Sequence, residues 1–367
     1  MANDNNGGDD WSLYPYEPVK AAPIVFAVLL TVIGIYQIYQ SFFKYHWKKF
    51  GGIMTWVSFH HTPIPTATTV WISGFVCRAV SVTQPQSVNI FIAQFVLVLM
   101  GPPLYAAAEY FILGRLMSYL PYHSIIHPGR VISTFLLLSA IVETLTANGA
   151  ANSAGSGRKP AQVRAGLACL KAALIVQCII EIFFFSLVAS VEYKCRKAKN
   201  FPRNVRLICY TLYITSTMIL VRCIVRTIEG FEAAACHANP MGPPGYCGVV
   251  STNEAFLWVF EIANITLFVI ILAVFPPGKY LPRSSKVFLD PIDGKTERIG
   301  PGYSKAEKRS RLATIVDPFN LHGIATGKGM SVEPFWNHHQ PIYEGGPVEK
   351  VKKDDTSGGR IEAEDGL

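Results

Sequence analysis

The stretch GLACLKAALIVQCIIEIFFFSLVAS, residues 166–190, decides the fold class of this chain. Its only charged side chains are those of Lys171 and Glu181, and most of the others are aliphatic or aromatic. In helical form, about 20 mostly apolar residues cross the roughly 30 Å hydrocarbon layer of a bilayer. The stretch therefore predicts a transmembrane helix.

Six further windows on both sides of this stretch meet the same criterion, although those at 60–82 and 131–151 are weakened by small and polar residues. Half of the 367 residues are apolar and 16% are charged, whereas soluble proteins carry about 25% charged residues. We therefore predict an all-α integral membrane protein. Its seven transmembrane helices are expected at residues 22–42, 60–82, 89–114, 131–151, 166–190, 206–228 and 252–275.

Basic residues in the short loops predict the orientation, because Lys and Arg are enriched on the cytoplasmic side of membranes. The first, third and fifth loops are basic, the second lacks Lys and Arg, and only the fourth runs against this alternation. The N-terminus is therefore predicted outside. We expect three regions: an extracellular N-terminal segment (1–21), a seven-helix membrane domain (22–278) and a cytoplasmic tail (279–367). The tail is polar and lacks periodicity, which favours disorder over most of its length.

Charged residues inside the predicted spans are the main clue to function, because an ionised group at the bilayer centre costs about 2.5–3.5 kcal/mol or more. Arg222, Arg226 and Glu229 share one face of the sixth span. Glu254 and Glu261 share a face of the seventh. We predict that Glu261 or Glu254 pairs with Arg222 or Arg226. The alternative for Arg226 and Glu229 is a local pair at the outer interface, where long side chains reach toward water.

Strongly polar residues occur in every predicted span from the second to the seventh. They predict a polar cavity lined by several helices, although some would only form hydrogen bonds between helices, worth about 0.6 kcal/mol each. The residues concerned, beyond those already named, are Arg78, Gln94, Glu109, Glu143, Asn148, Gln177, Glu181 and Asn264.

Cys236 and Cys247 flank a loop rich in Gly and Pro that we predict to be extracellular. An oxidising exterior favours a disulfide between them, and two free thiols are the alternative. No metal site is predicted, because His123 and His127 sit in a short loop with no glutamate that completes a zinc motif. The sequence also has no phosphate-binding loop. No cofactor, catalytic residue or nucleic-acid partner is therefore expected.

Several short motifs follow one another in a fixed order over about residues 16–280. In this order the chain resembles the fungal RTA-like proteins (resistance to aminocholesterol), also called the lipid-translocating exporter family. Trp71 is a departure, since a glutamate often stands three residues before the glycine of the second span. The matching residues are Tyr16-x-Pro18, Gly74-Phe75-x-x-Arg78, Gln94, Pro102, Ala106, Ala107, Tyr110, Gly114-Arg115, Gln177, Arg222-x-x-x-Arg226-x-x-Glu229, Glu254, Glu261 and Pro277-Gly278.

The resemblance implies a protein that moves, or supports the export of, sphingoid bases or other amphipathic toxicants. Its partners would be membrane lipids and an amphipath such as a long-chain base, and its location the plasma membrane. We expect Glu109, Glu143 and Glu261 to offer counter-charges to an ammonium head group, with Asn264 and Arg78 completing the binding set. Arg222, Arg226, Glu229 and Glu254 would form structural ion pairs.

Two other functional classes remain open from the sequence. A seven-span sensor or receptor in a stress response fits the topology equally well, although the D-R-Y and N-P-x-x-Y motifs of many receptors are missing. A seven-span zinc hydrolase acting on lipids would need His, Asp and Ser ligands inside the spans. The close His pairs lie in a loop or at an interface instead.

Overall fold

The computed structural model describes residues 18–54, 67–84, 87–153, 159–198, 201–238 and 248–306, and short stretches of the tail between 310 and 343. The described part of the chain is mostly helical. Six of its helices are long and apolar enough to cross a bilayer. The chain is therefore a multi-pass membrane protein. The six candidate spans are Ala21–Lys44, Asn89–Tyr119, Pro128–Gly149, Ala161–Lys197, Arg203–Glu232 and Glu254–Lys279.

The helices follow one another along the chain with short connections. Two segments, Tyr39–Lys44 and Leu257–Ala263, are π-helical, with hydrogen bonds five residues apart instead of four. The α-helices are α1 (Ala21–Ile38), α2 (Lys48–Met54), α3 (Ala67–Thr83), α4 (Val88–Tyr119), α5 (Val131–Ser153), α6 (Pro160–Lys197), α7 (Arg203–Ala238), α8 (Val249–Thr252), α9 (Glu254–Phe256), α10 (Asn264–Val274) and α11 (Tyr303–Ala306).

The second predicted span, 60–82, corresponds to the shorter helix α3. Its 17 residues extend about 26 Å at 1.5 Å per residue, and residues 55–66 lie outside the described part. Helix α3 packs against α1, where Gly34 leaves so little space that a Cβ there would lie 3.1 Å from Thr68. Trp71 and Phe75 of α3 are completely buried. One face of this helix is therefore packed against its neighbours, while residues such as Val76 are exposed.

Helices α6 and α7 are longer than the apolar windows that predicted them. The windows were 166–190 and 206–228, whereas the helices run over Pro160–Lys197 and Arg203–Ala238. The additional turns carry charged residues such as Arg196, which pairs with Glu192 across one turn. Hydropathy therefore located the apolar part of each helix but not its polar ends.

The chain divides into two compact units, each with its own packing. The first contains Met1–Glu109, Phe135–Ser186 and Thr211–Gly278. Its core includes Tyr105, whose ring packs edge-on against Trp71 with a centroid distance of 5.5 Å and whose hydroxyl donates to Thr68 Oγ1 at 3.0 Å. The second contains Tyr110–Thr134, Leu187–Tyr210 and Lys279–Leu367.

Pro102 interrupts the hydrogen bonding of α4. Proline has no N–H, so the Val98 carbonyl four residues earlier loses its helical donor. Trp71 supplies the missing donor, because its Nε1 atom lies 3.0 Å from the Val98 oxygen. The indole also occupies the space beside Gly101, where any Cβ would collide with it. The residue that departs from the family pattern thus repairs a break in the neighbouring helix.

A similar repair joins α1 to α10. The Ala273 carbonyl precedes Pro277 by four residues and therefore cannot receive a helical hydrogen bond from it. Gln40 donates to this oxygen through Nε2 at 2.9 Å, and Gln37 donates to the Val269 oxygen at 3.1 Å. Both glutamines are buried. Their amides therefore connect the first and last candidate spans.

The second unit contains an antiparallel hairpin of β1 (Val287–Leu289) and β2 (Glu297–Ile299). Tyr119 donates its hydroxyl to Glu297 Oε1 at 2.9 Å. In the turn, Asp293 accepts hydrogen bonds from the Lys295 and Thr296 N–H groups and the Thr296 hydroxyl, which lower its pKa to about 2. We expected disorder over most of 279–367, and that expectation does not hold for the hairpin.

Candidate functional site

Arg78 is the centre of a buried polar contact between three helices. Its Nη2 atom lies 2.6 Å from Glu254 Oε1, and Nη1 donates to Gln94 Oε1 at 3.4 Å. Its guanidinium also stacks over the ring of Trp258, with its central carbon 5.4 Å from the ring centroid. The Val19 N–H donates to the second Glu254 oxygen at 2.9 Å. Arg78 therefore holds α3, α4 and α9 together.

A second buried ion pair joins α7 to the π-helical segment before α10. Arg222 Nη2 lies 3.0 Å from Glu261 Oε1, and the two side chains are 3% and 8% exposed. Arg226 Nη1 lies 3.9 Å from the other Glu261 oxygen and 2.8 Å from Glu229 Oε2. Glu261 also interacts electrostatically with Arg78. The two pairs thus form one charge cluster, defined here as Arg78, Glu254, Arg222, Arg226, Glu229 and Glu261.

The two glutamates of the last span contact different arginines. An ideal α-helix would place Glu254 and Glu261 on one face, facing α7 together. The π-helical segment Leu257–Ala263 begins after Glu254 and contains Glu261, so the rotation per residue changes between the two glutamates. Glu261 contacts Arg222 and lies near Arg226, whereas Glu254 contacts Arg78. The prediction that Glu261 or Glu254 pairs with Arg222 or Arg226 is met by the Glu261–Arg222 contact, whereas Glu254 pairs with Arg78, which the periodicity did not indicate.

Glu143 of α5 lies beside the charge cluster without joining it. Its carboxyl group is half-exposed and interacts electrostatically with Arg222 and Arg226. No arginine or lysine forms an ion pair with it among the described residues. Asn264, which we placed in the same binding set, donates to the Met218 carbonyl at 2.6 Å and so connects two helices.

Glu109 of α4 forms a separate group with Glu181 of α6. Glu109 is completely buried and Glu181 is 3% exposed. Their carboxyl groups interact electrostatically, and Ser216 of α7 donates to Glu181 Oε1 at 3.2 Å. The expected binding set Glu109, Glu143, Glu261, Asn264 and Arg78 is therefore spread over several environments. Glu181 was not included in that set, although the sequence shows it as an acidic residue inside a predicted span.

The remaining sequence candidates lie elsewhere. His127 Nδ1 accepts a hydrogen bond from the Gly129 N–H at 3.1 Å and so caps a short 3-10 helix. Burial and the nearby Lys194 ammonium group lower the pKa of His123. Among the described residues, no group of three potential metal ligands is present. The predicted disulfide involves the Cys236 side chain and Cys247, which lie outside the described part of the chain.

Comparison with known proteins identifies the family. The family model described as RTA1 like protein matches residues 66–284. A lipid-translocating exporter-like protein RTA1 from Leptosphaeria maculans is 29% identical over 302 residues, which cover 79% of this chain and 56% of that protein. Protoporphyrin uptake protein 1 of Saccharomyces cerevisiae is 26% identical over 296 residues, covering 71% of this chain and 91% of that protein.

A further relative, protein RTM1 of Saccharomyces cerevisiae, is 26% identical over 312 residues, covering 75% of this chain and 94% of that protein. The chain thus spans little more than half the length of the Leptosphaeria maculans relative and nearly all of the two yeast relatives. No solved structure matches the chain. The family match covers more than half of the sequence and includes the residues of the charge cluster. The resemblance drawn from the motifs is therefore confirmed: this chain belongs to the RTA1-like protein family.

Proposed function

We propose that this protein moves amphipathic molecules, sphingoid long-chain bases first among them, across the bilayer without a covalent step. The family and the name of the Leptosphaeria maculans relative support a lipid-like cargo. The observation that carries the proposal is Glu143, a carboxylate inside a candidate span that makes no ion pair in the described part of the chain. Such a group has a strong electrostatic preference for a cationic head group.

The charge cluster favours Glu143 over Glu261 as the proposed counter-charge for cargo. Glu261 and Glu254 are already neutralised by Arg222 and Arg78 at 3.0 and 2.6 Å. Replacing those partners by a cargo ammonium would leave buried arginines unpaired, which is costly. Glu143 is half-exposed and needs no such exchange. The arginines of the cluster would then fix the position of α7 beside it.

An anionic amphipath is the second candidate cargo. The protoporphyrin uptake protein among the relatives is named for a molecule that carries carboxylates. Arg226 is the most accessible arginine of the charge cluster, with 18% of its side chain exposed, and a guanidinium binds carboxylates in a bidentate manner. In this case Arg226 would contact the anionic cargo, and the Glu143 carboxylate would repel it electrostatically.

Flux measurements with Glu143→Gln separate these candidates. In proteoliposomes with labelled phytosphingosine, we expect flux to fall about tenfold, because a hydrogen bond to a charged group contributes about 1.5–3 kcal/mol and about 1.4 kcal/mol is a factor of ten. Porphyrin flux should not fall. Glu192→Gln, which makes the same change near the end of α6, is the matched control and should leave flux unchanged.

Equal phytosphingosine flux by wild type and Glu143→Gln, at equal reconstitution, would exclude the counter-charge role. Porphyrin flux that exceeds phytosphingosine flux and disappears in Arg226→Gln would favour the anionic cargo. No flux of either molecule, together with ligand-dependent binding of a cytoplasmic protein to the tail, would favour the sensor alternative.

We also propose seven spans, with residues 1–21 outside, a membrane domain at 22–278 and the tail 279–367 inside, in the plasma membrane. Helix α3 supplies the seventh span, because its roughly 26 Å length nearly crosses the hydrocarbon layer. We expect cysteines introduced at Asn5 and Lys353 of a cysteine-free protein to react with an impermeant maleimide from opposite sides of the membrane. Labelling of both from the same side of intact cells would exclude seven spans. A fluorescent fusion at an internal membrane would exclude the plasma membrane.

A further inference from the structure

Glu109 is a buried acid without a cationic partner in the described part of the chain. None of its side chain is exposed, and neither carboxyl oxygen has a hydrogen-bond partner in the described part of the chain. The nearby Thr215 hydroxyl directs its proton to the carbonyl oxygens of Thr211 and Leu212, at 2.9 and 3.3 Å. A hydroxyl group donates one proton, and in this geometry that proton is directed away from Glu109.

The charged group that interacts electrostatically with Glu109 is another acid. Glu181 repels it electrostatically and is itself 3% exposed, with one oxygen accepting the Ser216 hydroxyl at 3.2 Å. The Cys223 thiol of α7 also interacts with Glu181. Where the structure describes the surroundings of these acids, no lysine or arginine compensates either of them. The pair therefore differs from the charge cluster, in which each buried glutamate faces an arginine.

Two carboxyl groups that repel each other in a medium of low dielectric constant cannot both be ionised at moderate cost. We infer that Glu109 and Glu181 form a proton-binding site that shares one proton and makes cargo movement depend on the proton gradient. The proton binds one carboxylate from water on one side of the membrane and leaves to water on the other, so no bond of the cargo changes. This inference deepens the proposed transport function and rests on it.

The surroundings favour a proton over a metal ion or the cargo itself. A sodium or divalent cation would require about six oxygen ligands, whereas the Thr211 and Leu212 carbonyls already accept hydrogen bonds and Ser216 directs its proton to Glu181. A lipid ammonium group cannot reach Glu109 without opening the helices, since none of that side chain is exposed. Carboxylates in such positions act as proton relays in pumps and transporters.

Infrared difference spectroscopy of the purified protein tests proton binding without any transport. We expect the carbonyl band of a protonated carboxylic acid at a pH well above about 4.3, the ordinary value for glutamate. Glu109→Gln should remove this band and Glu181→Gln should change its frequency, whereas Glu192→Gln should leave it unaltered. Absence of the band in wild type would overturn the inference. Both variants should fold, because they remove repulsion; unfolding of both would mean that the pair is ionised and structural, which also overturns it.

A flux assay tests the coupling. N-trimethylated sphingosine is the probe, because its fixed charge removes the effect of pH on the cargo. We expect wild type and Glu192→Gln to respond severalfold to an imposed pH gradient and not to a sodium gradient, and flux by Glu109→Gln to be equal with and without the pH gradient. Wild-type flux that ignores the pH gradient, or follows sodium, contradicts this inference alone. Absence of wild-type flux contradicts the proposed function and the coupling together.

Discussion

Replacing Arg222 with glutamine is expected to destabilise the membrane domain by about 3–5 kcal/mol, the range found when one partner of a buried ion pair is removed. The reason is that Glu261 would remain charged, 6% exposed, with Arg226 at 3.9 Å as its nearest remaining partner. Unfolding of the detergent-solubilised protein by a denaturing detergent measures the change. Arg196→Gln is the matched control and should change the stability little, because 57% of that side chain is exposed.

The double replacement Arg222→Glu with Glu261→Arg provides the second half of this test. If the 3.0 Å contact is the source of the stability, the exchanged pair should recover most of what either neutral single substitution loses. A double variant as unstable as the sum of the two single variants would show that the contact contributes little. A small loss in Arg222→Gln would instead mean that Glu261 is protonated or reaches water.

Replacing Arg78 with glutamine is expected to have an effect of similar size, about 3–5 kcal/mol. The substitution removes the 2.6 Å contact with Glu254, the hydrogen bond to Gln94 and the stacking on Trp258. Arg78→Lys should recover only part of the loss. Lysine keeps the charge but lacks the planar fork that reaches two partners and stacks on an aromatic ring.

The same unfolding assay distinguishes the role of charge from that of shape at Arg78. Full recovery by Arg78→Lys would show that charge alone holds Glu254. The double variant Arg78→Gln with Glu254→Gln should be more stable than Arg78→Gln alone, because it removes the unpaired acid. If it is less stable, the Glu254 carboxylate is held mainly by another donor, such as the Val19 N–H at 2.9 Å.

The fold was largely predictable because a bilayer imposes a simple length requirement on each apolar window. The windows at 89–114, 131–151, 166–190, 206–228 and 252–275 all coincide with helices. Helix ends were not predictable in the same way, since the last turns of α6 are helical yet basic. The hairpin at 287–299 was missed because three-residue strands, stabilised by contacts such as Tyr119 with Glu297, leave no periodic signal.

The candidate site was predictable in its composition but not in its pairings. Placing a charged side chain in hydrocarbon costs free energy, so a charge inside a span indicates a structural or functional role. Arg222 and Glu261 were identified from the sequence for this reason. The pairing of Glu254 with Arg78 joins positions 176 residues apart, and helical periodicity contains no information about contacts between distant helices. The proximity of Glu109 to Glu181 was unpredictable for the same reason.

The π-helical segment Leu257–Ala263 divides the last span into two halves that contact different helices. Glu254, before this segment, contacts α3. Glu261, within the segment, and Asn264, directly after it, contact α7. A regular α-helix would twist as one rod, so that a rotation at one end would break contacts at the other. A π-helical turn is one of the places where helices kink, so the two halves need not keep a fixed angle. We therefore expect the two halves of this span to move separately if the proposed transport takes place.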